Sequence, residues 1–75
     1  MDPLECYSAL SYLIEKYVDD LEIKIELREK LVYDKLNREI PPAKHYLSEL
    51  HQHQGSMEIS EEDGHLIKDI VFHYV

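Results

Sequence analysis

The chain has 75 residues, with sixteen acidic side chains against eight basic ones and a formal charge of -8. A chain this short hides only about 60% of the surface that its unfolded form exposes, so it makes a single domain with a thin core. Hydrophobic residues at 44% and charged residues at 32% describe a folded domain rather than a disordered one, and the acidity disfavours nucleic acid, whose phosphates it repels.

Residues Tyr7, Leu10, Leu13, Ile14, Tyr17 and Val18 recur at steps of three and four and predict a first helix over 4–18. Asp2 is its candidate N-cap, Pro3 is pre-set for its first turn, and Glu5 suits the positive end of its dipole. Tyr12 falls outside the apolar face. Asp19-Asp20 either caps a second helix or continues the first, because no Gly or Pro separates them. Residues 21–27 then alternate apolar and polar with period two, the pattern of a half-buried strand. Beyond them Leu27, Leu31, Val32, Leu36 and Ile40 return to helical spacing, and Glu, Lys, Leu and Arg dominate 21–40. One helix over 21–40 is predicted, with a strand at 21–27 as the competing reading. Pro41-Pro42 ends it. Tyr46, Leu47 and Leu50 give a short stripe to a third helix over 43–54, for which Gly55 offers the backbone freedom of a C-cap. After a connector at 56–59, Ser60 with Asp63 three residues on reads as the N-cap and acidic first turn of a fourth helix. Its stripe is Leu66, Ile67, Ile70, Val71, Tyr74 and Val75, and Phe72 breaks the pattern. The fold expected is all-α, a compact bundle of three to four short helices in one domain over 1–75. The alternative is α+β and winged-helix-like, with Glu61-Glu62-Asp63-Gly64 turning a C-terminal hairpin at 57–75.

Few residues point to chemistry. Cys6 is the only cysteine, so no disulfide forms within the chain, and Asp2 and Glu5 beside it oppose a thiolate; an inert, partly buried thiol is expected. His45, Glu49 and His53 share a helical face, and His65 could approach it, so a transition-metal site can be drawn. The spacing matches no standard zinc signature, and no metal ligand or cofactor is assigned. Asp19-Asp20 and Glu61-Glu62-Asp63 sit where helix starts favour negative charge, two glycines make no phosphate loop, and no catalytic residue is assigned. Lys24, Arg28 and Lys35 form a basic row, with Arg38 nearby and Lys44 after the prolines. Acids at 22, 26, 29, 34 and 39 surround it, which reads as a solvated face of local ion pairs.

Six tyrosines without a tryptophan, together with acids clustered at 19–26 and 58–63, carry the functional reading. Tyr7, Tyr17 and Tyr74 lie in apolar stripes, whereas Tyr12 and Tyr33 project from polar sides. Acids with exposed aromatic rings suit the covering of a basic patch, because charge speeds encounter and rings hold the complex. The expected partner-binding set is therefore Tyr12, Asp19, Asp20, Glu22, Glu26, Tyr33, Glu58, Glu61, Glu62 and Asp63. The expected function is a non-enzymatic factor of the inhibitor or immunity type that masks a basic surface of a protein target. A small helix-turn-helix or winged-helix regulator is the alternative. Leu21, Ile25, Val32 and Leu36 form one line on the second helix and Ile23, Leu27 and Leu31 another, so one line can serve the core and the other a homodimer through 21–40. Met1-Asp2-Pro3 is acidic where a secretory leader is basic, the thiol is unpaired, and no apolar run reaches the roughly 18–20 residues of a membrane span; the cytoplasm, with no membrane partner, is the expected setting.

Overall fold

The computed structural model describes residues 1–75 as four helices: α1 (Pro3–Tyr17), α2 (Leu21–Asn37), α3 (Ala43–His53) and α4 (Glu61–Tyr74). They run up, down, up and down, and the fold is all-α. Local capping starts three of them. The Asp2 carboxylate accepts from the Glu5 amide at 2.8 Å with Pro3 as the first helical residue, Asp20 accepts from the Ile23 amide at 3.1 Å, and the Ser60 hydroxyl accepts from the Asp63 amide at 3.1 Å. Asp19-Asp20 thus separates two helices, with Val18 extended and its amide bonded to the Ile14 carbonyl.

The period-two stretch at 21–27 is helical. Its alternation divides between two sides of α2: Ile23 and Leu27 turn inward and continue into Leu31, while Leu21 and Ile25 face out. The winged alternative does not occur either, because 57–59 forms no strand and 61–74 is helix; the only β pairing is an isolated bridge between Val18 and Gln54. Four residues on α4 that share one helical face, Leu66, Ile67, Ile70 and Tyr74, pack inward, whereas Val71 and Val75 lie beyond the contact and are exposed.

Two boundaries differ from expectation. α2 stops at Asn37 rather than at residue 40: Arg38 is extended, and the Tyr7 hydroxyl lies 3.1 Å from the Asp34 carbonyl and 3.0 Å from that of Arg38, satisfying acceptors at the helix end. Gly55 does not take the left-handed conformation of a helix C-cap, since no residue has positive φ. It serves a close approach instead. A Cβ there would stand 1.8 Å from Asp19 Oδ2, and that carboxylate accepts from the Ser56 amide at 3.3 Å while the Gly55 amide donates to the Tyr17 carbonyl at 2.8 Å.

α1 is the central element and packs against the other three helices. Cys6, Tyr7, Ala9, Leu10, Leu13, Ile14, Tyr17 and Val18 supply eight of the 14 buried core residues, whereas α2 supplies Leu27 and Leu31 and α4 only Ile70. The molecule is a slab, 32 × 27 × 15 Å. No helix is long and apolar enough to cross a membrane. Leu31→Ala, which opens a cavity against α1, is expected to cost about 2–5 kcal/mol, and Phe72→Ala on the exposed side of α4 less than about 0.5 kcal/mol; urea unfolding followed by circular dichroism measures both.

Candidate functional site

Tyr17 ends α1 and Asp63 lies in the first turn of α4, and their side chains meet. The Tyr17 hydroxyl donates to Asp63 Oδ2 and accepts from the Ser60 amide at 3.2 Å. Tyr12 and Lys16, one helical turn apart on α1, close the other side: the Tyr12 hydroxyl lies 3.0 Å from Asp63 Oδ1, and Lys16 Nζ is 2.9 Å from Oδ2. Lys16 also stands over both rings, 5.5 Å from the centre of Tyr12 and 5.4 Å from that of Tyr17. The bond from Tyr17, then that from Lys16, with smaller help from Tyr12 and Ser60, hold the Asp63 carboxyl down at about 2, and the same contact raises the Lys16 ammonium.

This geometry corrects one member of the expected partner-binding set. Asp63 is buried, and its oxygens are occupied by its own chain. Tyr12 keeps a half-exposed ring but its hydroxyl is committed inward. Asp20 is the α2 cap, and Asp19 is bound to the Ser56 amide.

The exposed acids do converge. The Val18–Gln54 bridge and the Gly55–Tyr17 bond lay the turn before α2 beside the connector before α4, and Tyr17 ties Ser60 to the same end. Asp19, Asp20 and Glu22 therefore share one end of the bundle with Glu58, Glu61 and Glu62, all exposed, beside exposed Met57 and the Tyr12 ring. The starts of α2 and α4 lie beneath them, so helix dipoles stabilise part of this charge. Two expected members lie elsewhere. Glu26 faces a hollow lined by Ile23, Leu27, Lys30, His45, Glu49 and His53, and Tyr33 projects from the far half of α2.

A second buried carboxylate, Asp34, was counted in sequence only as a surface acid. Tyr46 donates to it at 2.6 Å, Arg38 Nε lies 3.4 Å away, and burial, then this bond, push the Tyr46 hydroxyl up. Its spacing from Leu27 and Leu31 on the inward face of α2 was the available signal. The histidines disperse: His45 Nε2 lies 3.0 Å from Lys30 Nζ, His53 pairs with Glu49 at 3.3 Å, His65 stands 4.0 Å from Glu61, and no three His, Cys, Asp or Glu side chains are placed to hold a metal ion. Within the basic row, Arg28 is spent on Glu15 at 2.9 Å, and together with Lys35 it edges an open groove of about 440 Å³ between α1 and α2. Cys6 is fully buried, and burial pushes its thiol up to about 11.

No protein-family model matches the chain, and no curated protein and no solved structure gives a match.

Two outcomes are expected. The folded chain holds Asp63 charged below its ordinary 3.8, so the stability this adds is intact above that value and is lost as the pH falls toward 2. An acid titration by circular dichroism is expected to show that loss in the native chain and to lack it in Asp63→Asn, which starts less stable. Cys6 is expected to resist a thiol-reactive dye at pH 8 until denaturant unfolds the chain.

Proposed function

We propose that the protein is a non-enzymatic binding factor, of the inhibitor or immunity type, whose acidic end covers a basic surface of a protein target in the cytoplasm. The observation that carries this reading is the meeting of two acid-rich helix starts, distant in sequence, at one end of the bundle beside apolar and aromatic surface. Exposed acids without cationic partners project a field that speeds encounter with a basic patch, and Met57 with the Tyr12 ring supplies dehydratable area to slow release. The dipoles of α2 and α4 support the acids without neutralising them, and Lys16, one of the bases beside them, is bound to Asp63. The regulator alternative has less support, since its hairpin is absent and Arg28 is tied to Glu15.

The test is capture from native lysate with three tagged chains: the natural one, one carrying Glu58→Gln, Glu61→Gln and Glu62→Gln, and one carrying Glu5→Gln, Glu39→Gln and Asp69→Asn. Both variants lose three charges. The reading expects a nuclease-resistant protein bound at low salt, eluted at high salt, and associating about tenfold more slowly with the first variant only. Capture indifferent to salt, or equal loss in both variants, overturns it.

A further inference from the structure

α2 carries a second apolar face that its own bundle leaves uncovered. Leu27 and Leu31 turn into the core with the buried carboxylate of Asp34, while on the opposite side Leu21 is 66%, Ile25 47%, Val32 59% and Leu36 79% exposed. These four side chains fall on one line along the helix, spread over about 22 Å at 1.5 Å per residue. The surface of the whole chain, 5148 Å², exceeds the roughly 4,800 Å² that a folded monomer of this mass exposes, and the slab is only 15 Å thick. Core layers on one side of α2 and water on the other leave an apolar stripe of a kind that soluble monomers rarely display.

We propose that this stripe is the contact surface of a homodimer in which α2 lies antiparallel to α2 of a second copy. A two-fold contact requires a surface that matches itself reversed, because residue i meets residue j and j meets i. The stripe has that property. Leu21 and Leu36 are equidistant from the midpoint between Arg28 and Glu29, and so are Ile25 and Val32, so the spacing is the same read in either direction, with leucine at each outer position and a β-branched residue at each inner one. Leucine then meets leucine, and isoleucine meets valine.

Charge selects the orientation. Each chain carries a formal -8, with exposed acids gathered at the end where α2 begins. A parallel pair would set two such ends side by side. The antiparallel pair holds them about 25 Å apart, well beyond the roughly 8 Å over which physiological salt screens charge. It also lays Glu22 of one copy toward Lys35 of the other, and it sets the positive end of each helix dipole beside the negative end of its neighbour. Arg28, near the centre, is already neutralised by Glu15 of its own α1 and brings no unpaired charge to the dyad. A contact one helix long lies at the small end of interface sizes, below about 1,200 Å² in total, which makes the dimer concentration-dependent rather than obligate. The dimer borders Glu22 at the edge of the acidic end but does not reach Glu58, Glu61 and Glu62, which lie outside α2 and whose exchange tests the target-binding reading, so the two readings fail separately.

The test has two arms. Sedimentation across about 1 µM to 1 mM should show the natural chain shifting from 8.9 kDa toward twice that mass. Val32→Glu should weaken the association at least tenfold with an unchanged circular dichroism spectrum at the lowest concentration, while Phe72→Glu on α4 should leave it unaltered. In the second arm, single Ile25→Cys and Val32→Cys chains are oxidised separately and mixed. The antiparallel dyad expects the mixture to cross-link at least tenfold faster than either alone. A natural chain that stays at 8.9 kDa throughout, a Val32→Glu chain that associates normally, or faster cross-linking of Ile25→Cys by itself overturns the proposal; the last result would mean a parallel pair. A dimer-free chain whose stripe is instead shielded by a different protein would equally overturn it.

Discussion

The carboxylate of Asp63 fastens the last helix to the first. It joins the helix that contributes least to the buried core, since α4 supplies one fully buried apolar residue, Ile70, beside partly buried Leu66, Ile67 and Tyr74. Two tyrosine hydroxyls and one ammonium converge on it. A buried carboxylate is tolerated only when its lone pairs are satisfied, and satisfied ones fix geometry, because a charged acceptor in low dielectric penalises any displacement of its donors. The position of α4, and with it the convergence of acids at the end of the bundle, follows from that node.

The same device recurs at the opposite end. Tyr46 on α3 donates to Asp34 on α2, Tyr7 on α1 bonds the carbonyls where α2 stops, and Tyr74 donates to the Met1 carbonyl at 2.8 Å. Five of the six tyrosines therefore span two elements of the chain, and only Tyr33 makes no such hydroxyl contact. That distribution makes the tyrosine excess mainly an internal feature: a long rigid ring fills a thin core and its hydroxyl still reaches a polar group beyond it. A small helical chain without disulfides obtains its definition from such paired hydroxyls as well as from apolar volume.

Features decided within a few residues were legible in sequence. The caps at Asp2 and Ser60, the helical face of α1, and the two lines of α2 depend on spacing alone, and the structure reproduces them, while of the two readings left open at Asp19-Asp20 it takes the cap. The period-two run at 21–27 misleads only while it is read with a single buried side. Features that depend on partners far along the chain were not legible. Asp63 looks like any capping acid until Tyr12 and Tyr17 are brought to it, and Asp34 until Tyr46 is. The early end of α2 needs Tyr7, and the meeting of the two acid clusters needs the Val18–Gln54 bridge. Within the candidate site, the acids themselves were visible as clusters, but which of them face water was not.

The approach of Asp19 to Gly55 ties two positions that are far apart in sequence. As long as the carboxylate rests over the connector, any side chain at 55 would have to displace it, and a residue at 19 without that carboxylate leaves the Ser56 amide without its acceptor. Substitution at either position thus changes what the other tolerates. Across descendants of this chain the pair would drift jointly or not at all, and the turn before α2 and the connector before α4 would be inherited as one unit.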